Sequence, residues 1–343
     1  MRNVDLCELL ARESEQHEEH RGRALRRAAS QALLWPDEAA DILARGESLT
    51  VLPAVGPWVA AIVEQWFAKP PNPPEPPATR RGYISMAEAI RALENAPEYR
   101  LVQADLQVHT TWSDGAEPLA VMAGSLATRG YAFAAITDHS QGLKIAGGMD
   151  EATVARQWEE MDALAPGLPD IQILKGLEMN VTPEGEGDMD PAFLASLDLV
   201  LGAFHSALRL KDDQTGRYLA AIANPTVDVF AHPVGRMFNR RTGLMADWPR
   251  VFAAAAEAGK AVEIDATVAR QDLPVDLLRL ARDTGVWFSI GTDAHAIAEL
   301  DFMPLGLGAA AIAGIPPDRI LNFHPVEWVR DWVAERRARF AAT

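Results

Sequence analysis

The chain has 343 residues, enough for one large domain and a small one, and its composition of 48% hydrophobic and 23% charged residues excludes a disordered chain. Lys and Arg number 32 against 48 Asp and Glu, so the formal net charge is −16 and any contact with nucleic acid must be local. Cys7 is the only cysteine, which excludes a disulfide framework and a thiolate zinc site and leaves nitrogen and oxygen as metal ligands.

The first part of the chain predicts a small all-α domain. Apolar residues recur with helical spacing in residues 6–10, 24–34 and 39–44. Trp35-Pro36 and Gly46 interrupt the pattern, so the helices are expected to be short and separate.

Residues 52–62, Leu-Pro-Ala-Val-Gly-Pro-Trp-Val-Ala-Ala-Ile, resemble a helix-hairpin-helix. In that motif a tight turn directs backbone N–H groups at a DNA phosphate. By this resemblance Val55, Gly56 and Trp58 would contact DNA. Ala54 stands where many members have a glycine, and residues 1–69 hold eight Lys or Arg against eleven Asp or Glu. The alternative is therefore that this first domain packs against the barrel instead of binding DNA.

A proline-rich segment predicts the domain boundary. Six prolines lie between Lys69 and Ala78, which favours an extended spacer because proline cannot donate a backbone hydrogen bond. Ser85 then begins a helix, with Glu88 completing a capping box. We expect a helix-hairpin-helix domain in 1–68, a linker in 69–82, a connecting helix in 83–100 and a barrel domain in 101–343.

Seven short apolar runs follow, separated by helical segments, and predict buried strands. They lie at residues 101–108, 132–137, 171–177, 197–204, 227–231, 261–264 and 286–290. Alternation of strand and helix predicts a parallel sheet, and seven units suffice to close a barrel. The expected fold class is α/β, a β/α barrel with a small all-α domain before it.

Metal-ligand residue types follow nearly every run, at the strand ends where β/α barrels hold their active sites. A lone histidine near an apolar run is most often structural, but a repeated pattern of histidine and acidic residues indicates a site. Imidazole and carboxylate ligands suit Zn, Mn or Fe, and ions close together favour in-line displacement at phosphorus. The residues are Gln107, His109, Asp114, His139, Glu178, His205, His232, Asp293 and His295.

Five fragments resemble the PHP (polymerase and histidinol phosphatase) phosphoesterases, in the order of that family. They are Asp-Leu-Gln-Val-His-Thr-Thr-Trp-Ser-Asp-Gly, Thr-Asp-His-Ser, Gly-Leu-Glu-Met-Asn, Ala-His-Pro and Gly-Thr-Asp-Ala-His. The resemblance covers residues 100–335 and implies a distorted (β/α)7 barrel with two or three divalent ions. It implies one ion at His109, Glu178 and Asp293, a second bridged by Glu178 to His205 and His232, and a third at Asp114, His139 and His295.

Gln107 departs from the His-x-His with which the family usually opens. An amide oxygen is a weaker zinc ligand than imidazole, so the first site should bind more loosely or favour a harder ion such as Mn. Partial decay of the site is the alternative.

Arg236, Arg240 and Arg241 follow His232 closely and are expected to bind the substrate phosphate, since guanidinium groups fork onto phosphate oxygens. A solvated basic loop is the alternative. The catalytic residues would be Glu178, Asp293, His205 and Arg240.

The first hypothesis is phosphoester hydrolysis by a metal-bound hydroxide on DNA 3′ ends, as a repair exonuclease or 3′-phosphatase. The order of domains looks like a family X DNA polymerase without its polymerase segment, so no polymerase activity is expected. A small-molecule phosphatase of histidinol-phosphatase type is the second hypothesis, and a degenerate module that binds DNA or protein is the third. The apolar stretches are too short for a membrane span, and a cytoplasmic location is expected.

Overall fold

The computed structural model of the protein describes residues 1–341. The chain forms two compact units, Met1–Asn95 and a second unit beginning at Ala96. Among the described residues, every helix is too short or too polar to cross a bilayer.

The first unit is all-helical, as the apolar spacing predicts. Its core holds Leu6, Leu10, Leu25 and Trp35, all fully buried. Pro57 begins the fourth helix at a position where its missing N–H costs nothing. The helices are α1 Asn3–Ser14, α2 Glu19–Ala32, α3 Ala39–Ala44, α4 Pro57–Ala68 and α5 Met86–Glu94.

The boundary between the units differs from the expected one. Helix α5 belongs to the first unit instead of connecting the two, because the Met86 amide donates to the Leu33 carbonyl at 2.7 Å. The end of the proline-rich segment also contacts the first unit, because Arg80 forms an ion pair of 2.6 Å with the buried carboxylate of Glu8. Ser85 does cap this helix, since its hydroxyl accepts a hydrogen bond from the Glu88 amide at 3.1 Å.

The second unit contains the predicted (β/α)7 barrel. Seven strands pair in parallel in chain order, and each coincides with one of the seven apolar runs. Strands buried on both faces read as continuous apolar runs, which is why the sequence pattern locates them. The strands are β1 Ala104–Val108, β2 Phe133–Ile136, β3 Gln172–Asn180, β4 Leu199–Ala203, β5 Val229–Phe230, β6 Ala261–Asp265 and β7 Trp287–Gly291.

The first and last strands meet at their carboxyl ends. The Asp293 amide donates to the Gln107 carbonyl at 3.0 Å, and the His109 amide donates to the Ala294 carbonyl at 2.9 Å. Because all the strands are parallel, their carboxyl ends form one rim, and the segments that follow them converge there.

Helices surround the strands, and the last of them packs on the barrel core. Val329, Trp332 and Val333 join one apolar cluster with strand residues such as Leu106 and Leu201. The helices of this unit are α6 Leu119–Thr128, α7 Glu151–Leu164, α8 Pro191–Leu194, α9 Thr215–Ala223, α10 Trp248–Glu257, α11 Val275–Thr284, α12 Met303–Ala313 and α13 Val326–Ala341.

Candidate metal centre at the carboxyl ends of the strands

Glu178, near the end of β3, lies at the centre of the rim and is fully buried. One carboxylate oxygen, Oε1, lies 3.0 Å from His205 Nε2 and 2.9 Å from His232 Nε2. The other, Oε2, lies 3.3 Å from both His109 Nε2 and His139 Nδ1. A single carboxylate therefore faces four imidazoles that come from four different strand ends.

Asp293 extends this cluster at the end of β7. Its Oδ1 lies 3.1 Å from His109 Nε2, and its Oδ2 lies 3.1 Å from Arg270 Nε. Asp293 has φ +52° and His232 has φ +29°, a left-handed backbone that costs a non-glycine residue about 1–3 kcal/mol. The surrounding structure holds both side chains in the cluster at that cost.

A third part of the cluster lies nearer to solvent. Asp114 Oδ1 is 3.3 Å from His295 Nε2 and 3.5 Å from His139 Nε2. The His109 and His295 rings stack with centroids 4.2 Å apart. Side-chain exposure is 36% for Asp114 and 31% for His295, against none for His109, so the cluster runs from the barrel interior to its mouth.

These residues fit divalent metal ions. Among residues 1–341, three sets of candidate ligand atoms each lie within 4.8 Å of one another. Within the same residues, buried nitrogens of His109, His139 and His232 and an oxygen of Asp293 have no hydrogen-bond partner, which is costly unless an ion satisfies them. The sets are His109, Asp114, His139 and His295; His139, Glu178 and His205; and His109, Glu178 and Asp293.

The grouping overlaps with the expected ligand sets and differs from them in three respects. His139 lies in two of the three sets, and His109 joins the outer one. His232, expected beside His205, is in none of the sets, although its Nε2 lies 2.9 Å from Glu178.

The electrostatics differ among the candidate ligands. Burial alone would lower the pKa values of His109 and His295, but Asp293 with Glu178 raises that of His109 and Asp114 with Asp293 raises that of His295, whereas three other groups are held in their metal-binding forms. Burial alone would raise the pKa of Glu178, but the neighbouring His139, His109 and His205 hold that pKa well below its ordinary value, so the carboxylate stays ionised. Burial lowers the pKa of His139 to about 4 and, with the charge of Arg270, lowers the pKa of His232. Both rings are therefore neutral near pH 7, and neutral imidazole is the form that ligates metal.

Gln107, on β1, does reach the centre and is fully buried. Its Nε2 donates to Glu178 Oε2 at 3.1 Å, while its Oε1 has no hydrogen-bond partner among the described residues. Rotation of the amide about its last bond exchanges these two atoms, so the side chain can present either a donor or a ligand oxygen at this position.

The three expected phosphate-binding arginines occupy different environments in the loop after β5. Arg236 is buried, and its Nε donates to the Arg270 carbonyl at 2.7 Å. Arg241 is partly buried, with its Nε donating to the Gly235 carbonyl at 2.6 Å. Arg240 is exposed. Of the three, Arg240 is the one most open to a ligand.

Sequence reasoning missed the residues at the end of β6. Glu263 Oε2 accepts the His232 amide at 2.7 Å, and Arg270 Nε lies 3.6 Å from Asp265 Oδ2 as well as beside Asp293. These residues hold the ligand candidates in place. The signal was present, because the sixth apolar run is also followed by an acidic residue, Asp265.

Asp138, between Thr137 and His139, supports the outer part of the centre. Its oxygens accept hydrogen bonds from the Thr110 amide at 2.8 Å, the Ser113 hydroxyl at 2.5 Å and Gln157 Nε2 at 2.6 Å. These contacts fix the loop that carries Asp114.

The turn that precedes α4 forms with alanine at residue 54. Ala54 has φ +63°, the left-handed conformation that glycine adopts more readily, and Gly56 caps α4 with an exposed backbone. Trp58 is partly buried under the Arg21 guanidinium. Val55 is buried, and its amide already donates to the Leu52 carbonyl at 3.2 Å, so it offers less to a ligand than expected.

Comparison with known proteins identifies similar chains. No protein-family model matches the chain. It is 36% identical over 257 residues to the DNA polymerase/3′-5′ exonuclease PolX of Bacillus subtilis, a match that covers 75% of this chain and 44% of that protein. The chain therefore spans less than half of the length of that relative. It is 28% identical over 238 residues to a probable phosphatase of Edwardsiella ictaluri, covering 66% of this chain and 91% of the other.

A solved structure also matches part of the chain. It is the histidinol phosphate phosphatase of Lactococcus lactis, complexed with zinc, L-histidinol and phosphate. The match has a TM-score of 0.42 and 16% identity, and it covers 60% of this chain and 94% of the other.

Proposed function

Since the chain belongs to the PHP family of metal-dependent phosphoesterases, we propose that it hydrolyses phosphoester bonds at the 3′ ends of DNA, as a 3′-5′ exonuclease or a 3′-phosphatase. The observation that carries the hydrolase assignment is the placement of buried Glu178 within 3.3 Å of four imidazoles. The choice of DNA is supported by the relative at 36% identity, which is named as a polymerase and 3′-5′ exonuclease.

The ligand sets in the rim suit two or three ions of Zn, Mn or Fe. Glu178 would be shared between ions, because its two oxygens face different histidines. The inner ions would be held by His109, Asp293, His205 and His232, and the outer one by Asp114, His139 and His295. Gln107 would add an amide oxygen beside Glu178.

The ions would act as Lewis acids on the phosphoryl oxygens and lower the pKa of bound water. The protein's own groups orient the reaction. Arg270 fixes Asp293 through its Nε, and Glu263 fixes His232 through its backbone amide. Arg240, exposed at the edge of the rim, would bind the substrate phosphate, with Arg236 and Arg241 shaping the loop that presents it.

A small phosphomonoester is the second candidate substrate. The Edwardsiella relative is named a probable phosphatase, and the match spans 91% of its length. The net charge of −16 also suits a small substrate better than a long nucleic acid. A non-catalytic module, the reading that Gln107 favours, predicts little bound metal.

The test measures Mn- and Zn-dependent release of product from a 3′-labelled DNA strand beside hydrolysis of p-nitrophenyl phosphate. Glu178→Ala should abolish both bound metal and hydrolysis, while Glu159→Ala, at an exposed site on α7, serves as the matched control. Metal- and Glu178-dependent shortening or dephosphorylation of the DNA supports the proposal. Hydrolysis of the small ester alone would move the function to a metabolic phosphatase, and metal-free protein inactive on both would favour the binding module.

The hairpin of the first unit is proposed to contact DNA through the backbone around Gly56 and through Trp58. Gly56 has no atom within 4 Å of where a side chain would begin, so Gly56→Asp fits and places a negative charge against a DNA phosphate. Gly167→Asp, at an equally open position in the second unit, is the matched control. We expect Gly56→Asp alone to weaken binding of duplex DNA in fluorescence anisotropy; equal binding by both variants would leave the hairpin as a packing module.

A further inference from the structure

Two loops at the rim bring unpaired positive charge beside the metal centre of a strongly acidic chain. Arg209 and Lys211 lie on the loop after β4, which also carries His205. Arg240 and Arg241 lie on the loop after β5, which also carries His232. We call these four residues the basic strip. Arg209, Lys211 and Arg240 are exposed, and Arg241 is partly buried.

No carboxylate in residues 1–341 lies within ion-pair distance of the four residues of the basic strip. Other basic residues of the same unit are paired, as Arg129 is with Asp301 at 2.7 Å and Arg330 with Asp198 at 3.1 Å. In a chain with 48 acidic residues, a group of cations without acidic partners leaves its charge available to an anion.

The two loops are fixed to each other, so the charges are held in place before a ligand arrives. Lys211 Nζ donates to the Thr242 hydroxyl at 3.1 Å, and the Gln214 amide donates to the Met245 carbonyl at 2.8 Å. Leu208 packs against Gly235, where even a single added carbon would lie 2.9 Å from its side chain. Preorganised groups lose less entropy when they bind.

The positive charges also act on one another. Burial and the charges of Arg270, Arg209 and Arg240 lower the pKa of Arg241, although Asp272 opposes this. Arg270 in turn touches Asp293 of the metal centre at 3.1 Å. The loop of Arg240 and Arg241 is joined to the same segment, because Arg236 Nε donates to the Arg270 carbonyl at 2.7 Å. The basic strip therefore lies on loops that are connected to the metal centre.

We propose that Arg209 and Lys211 of the basic strip bind the phosphates next to the scissile one, so that the site selects a single-stranded nucleic acid end over a phosphomonoester. This inference rests on the proposed function and names the part of the surface that would decide its substrate. A phosphomonoester has one phosphate, which the ions and Arg240 would occupy. Arg209 and Lys211 have a role only if further phosphates follow along the strand.

The test measures binding apart from hydrolysis. Anisotropy with a 5′-labelled single strand that carries 3′-terminal phosphorothioate linkages gives the affinity of the metal-loaded protein between 50 and 200 mM salt. In Arg209→Ala/Lys211→Ala we expect affinity to fall about tenfold, as two exposed contacts of about 0.7 kcal/mol each would give. The slope of log affinity against log salt should lose about 1.4, at about 0.7 for each lost phosphate contact.

The matched control is Arg100→Ala/Arg279→Ala, which removes two exposed positive charges away from the rim, one before β1 and one on α11. Equal losses in both double variants would reduce the effect to net charge and overturn the proposal. Arg209→Glu removes a positive charge but keeps the contact of Lys211 with Thr242. If this variant bound DNA as the wild type does, the weaker binding of Arg209→Ala/Lys211→Ala would be due to a loosened loop, and the proposal would be overturned.

Hydrolysis by the same preparations separates this inference from the proposed function. A rise of about tenfold in KM for the unmodified strand in Arg209→Ala/Lys211→Ala, exceeding any change for p-nitrophenyl phosphate, supports the strip. If Arg209→Ala/Lys211→Ala shortens DNA with the KM and salt slope of the wild type, the role proposed for the basic strip is refuted and the proposed function is retained. If DNA binding depends on the basic strip but neither substrate is hydrolysed, the proposed function is refuted and the role of the basic strip in binding is retained.

Discussion

Arg270 offers the sharpest test of how the metal centre is built. Its guanidinium lies between Asp293, at 3.1 Å, and Asp265, at 3.6 Å, with only 17% of its side chain exposed. Burial alone would raise the pKa of Asp293, but Arg270 and His109 hold that pKa below its ordinary value, so Asp293 is ionised. Without metal, Arg270 is the main fixed charge that compensates this buried carboxylate.

Arg270→Met should therefore destabilise the metal-free protein. Removing one partner of a buried ion pair costs about 3–5 kcal/mol, and the partial exposure of Arg270 places the expected loss near the lower end, about 3 kcal/mol. For a unit of this size that corresponds to a fall of about 6–12 °C in the midpoint of thermal unfolding. Bound cations replace the lost charge at Asp293, so excess Mn or Zn should recover most of the loss.

The assay is thermal unfolding by circular dichroism with chelator and with excess metal. Arg336→Met is the control, because Arg336 is also paired with a buried carboxylate, that of Asp228, and is more fully buried than Arg270. Arg336 lies on helix α13, and neither residue of this pair belongs to the three candidate ligand sets described above. The fall in the unfolding midpoint caused by Arg336→Met should be the same with chelator and with excess metal. If added metal did not reduce the stability loss caused by Arg270→Met, Arg270 would not be the group that compensates the charge of Asp293.

Two further changes test the centre and the barrel. Gln107→His should tighten metal binding about tenfold or more in chelator competition, whereas Gln172→His at the opposite end of a strand should not; unchanged affinity would show that Gln107 is outside the ligand shell. Burial and the Arg336 charge lower the pKa of Lys260 to about 7, although Asp228 opposes this. Below pH 7 the lysine is charged in both the folded and unfolded states, and above it only the unfolded state keeps the proton, up to about pH 10.4. The wild type should thus gain roughly 2 kcal/mol over Lys260→Met between pH 7 and 9 in urea unfolding, and parallel pH profiles would contradict this.

The sequence by itself determined the barrel and predicted most of the residues that cluster at its rim. Seven strands buried on both faces must be apolar throughout, so their positions could be read from short apolar runs. Parallel strands bring their carboxyl ends to one rim, so the sequence alone predicts that residues as far apart as His109 and Asp293 lie together. The family resemblance added the expected ligand sets.

Only the tertiary structure decided how these residues share their contacts. Sequence order cannot show that His139 belongs to two ligand sets or that Arg270 lies against Asp293, because both depend on side-chain directions across the barrel. The same holds for α5, whose attachment to the first unit depends on the contact of Met86 with Leu33. The local pattern fixes which residues end each strand, whereas distances of a few ångströms between strands are set by how the whole barrel closes.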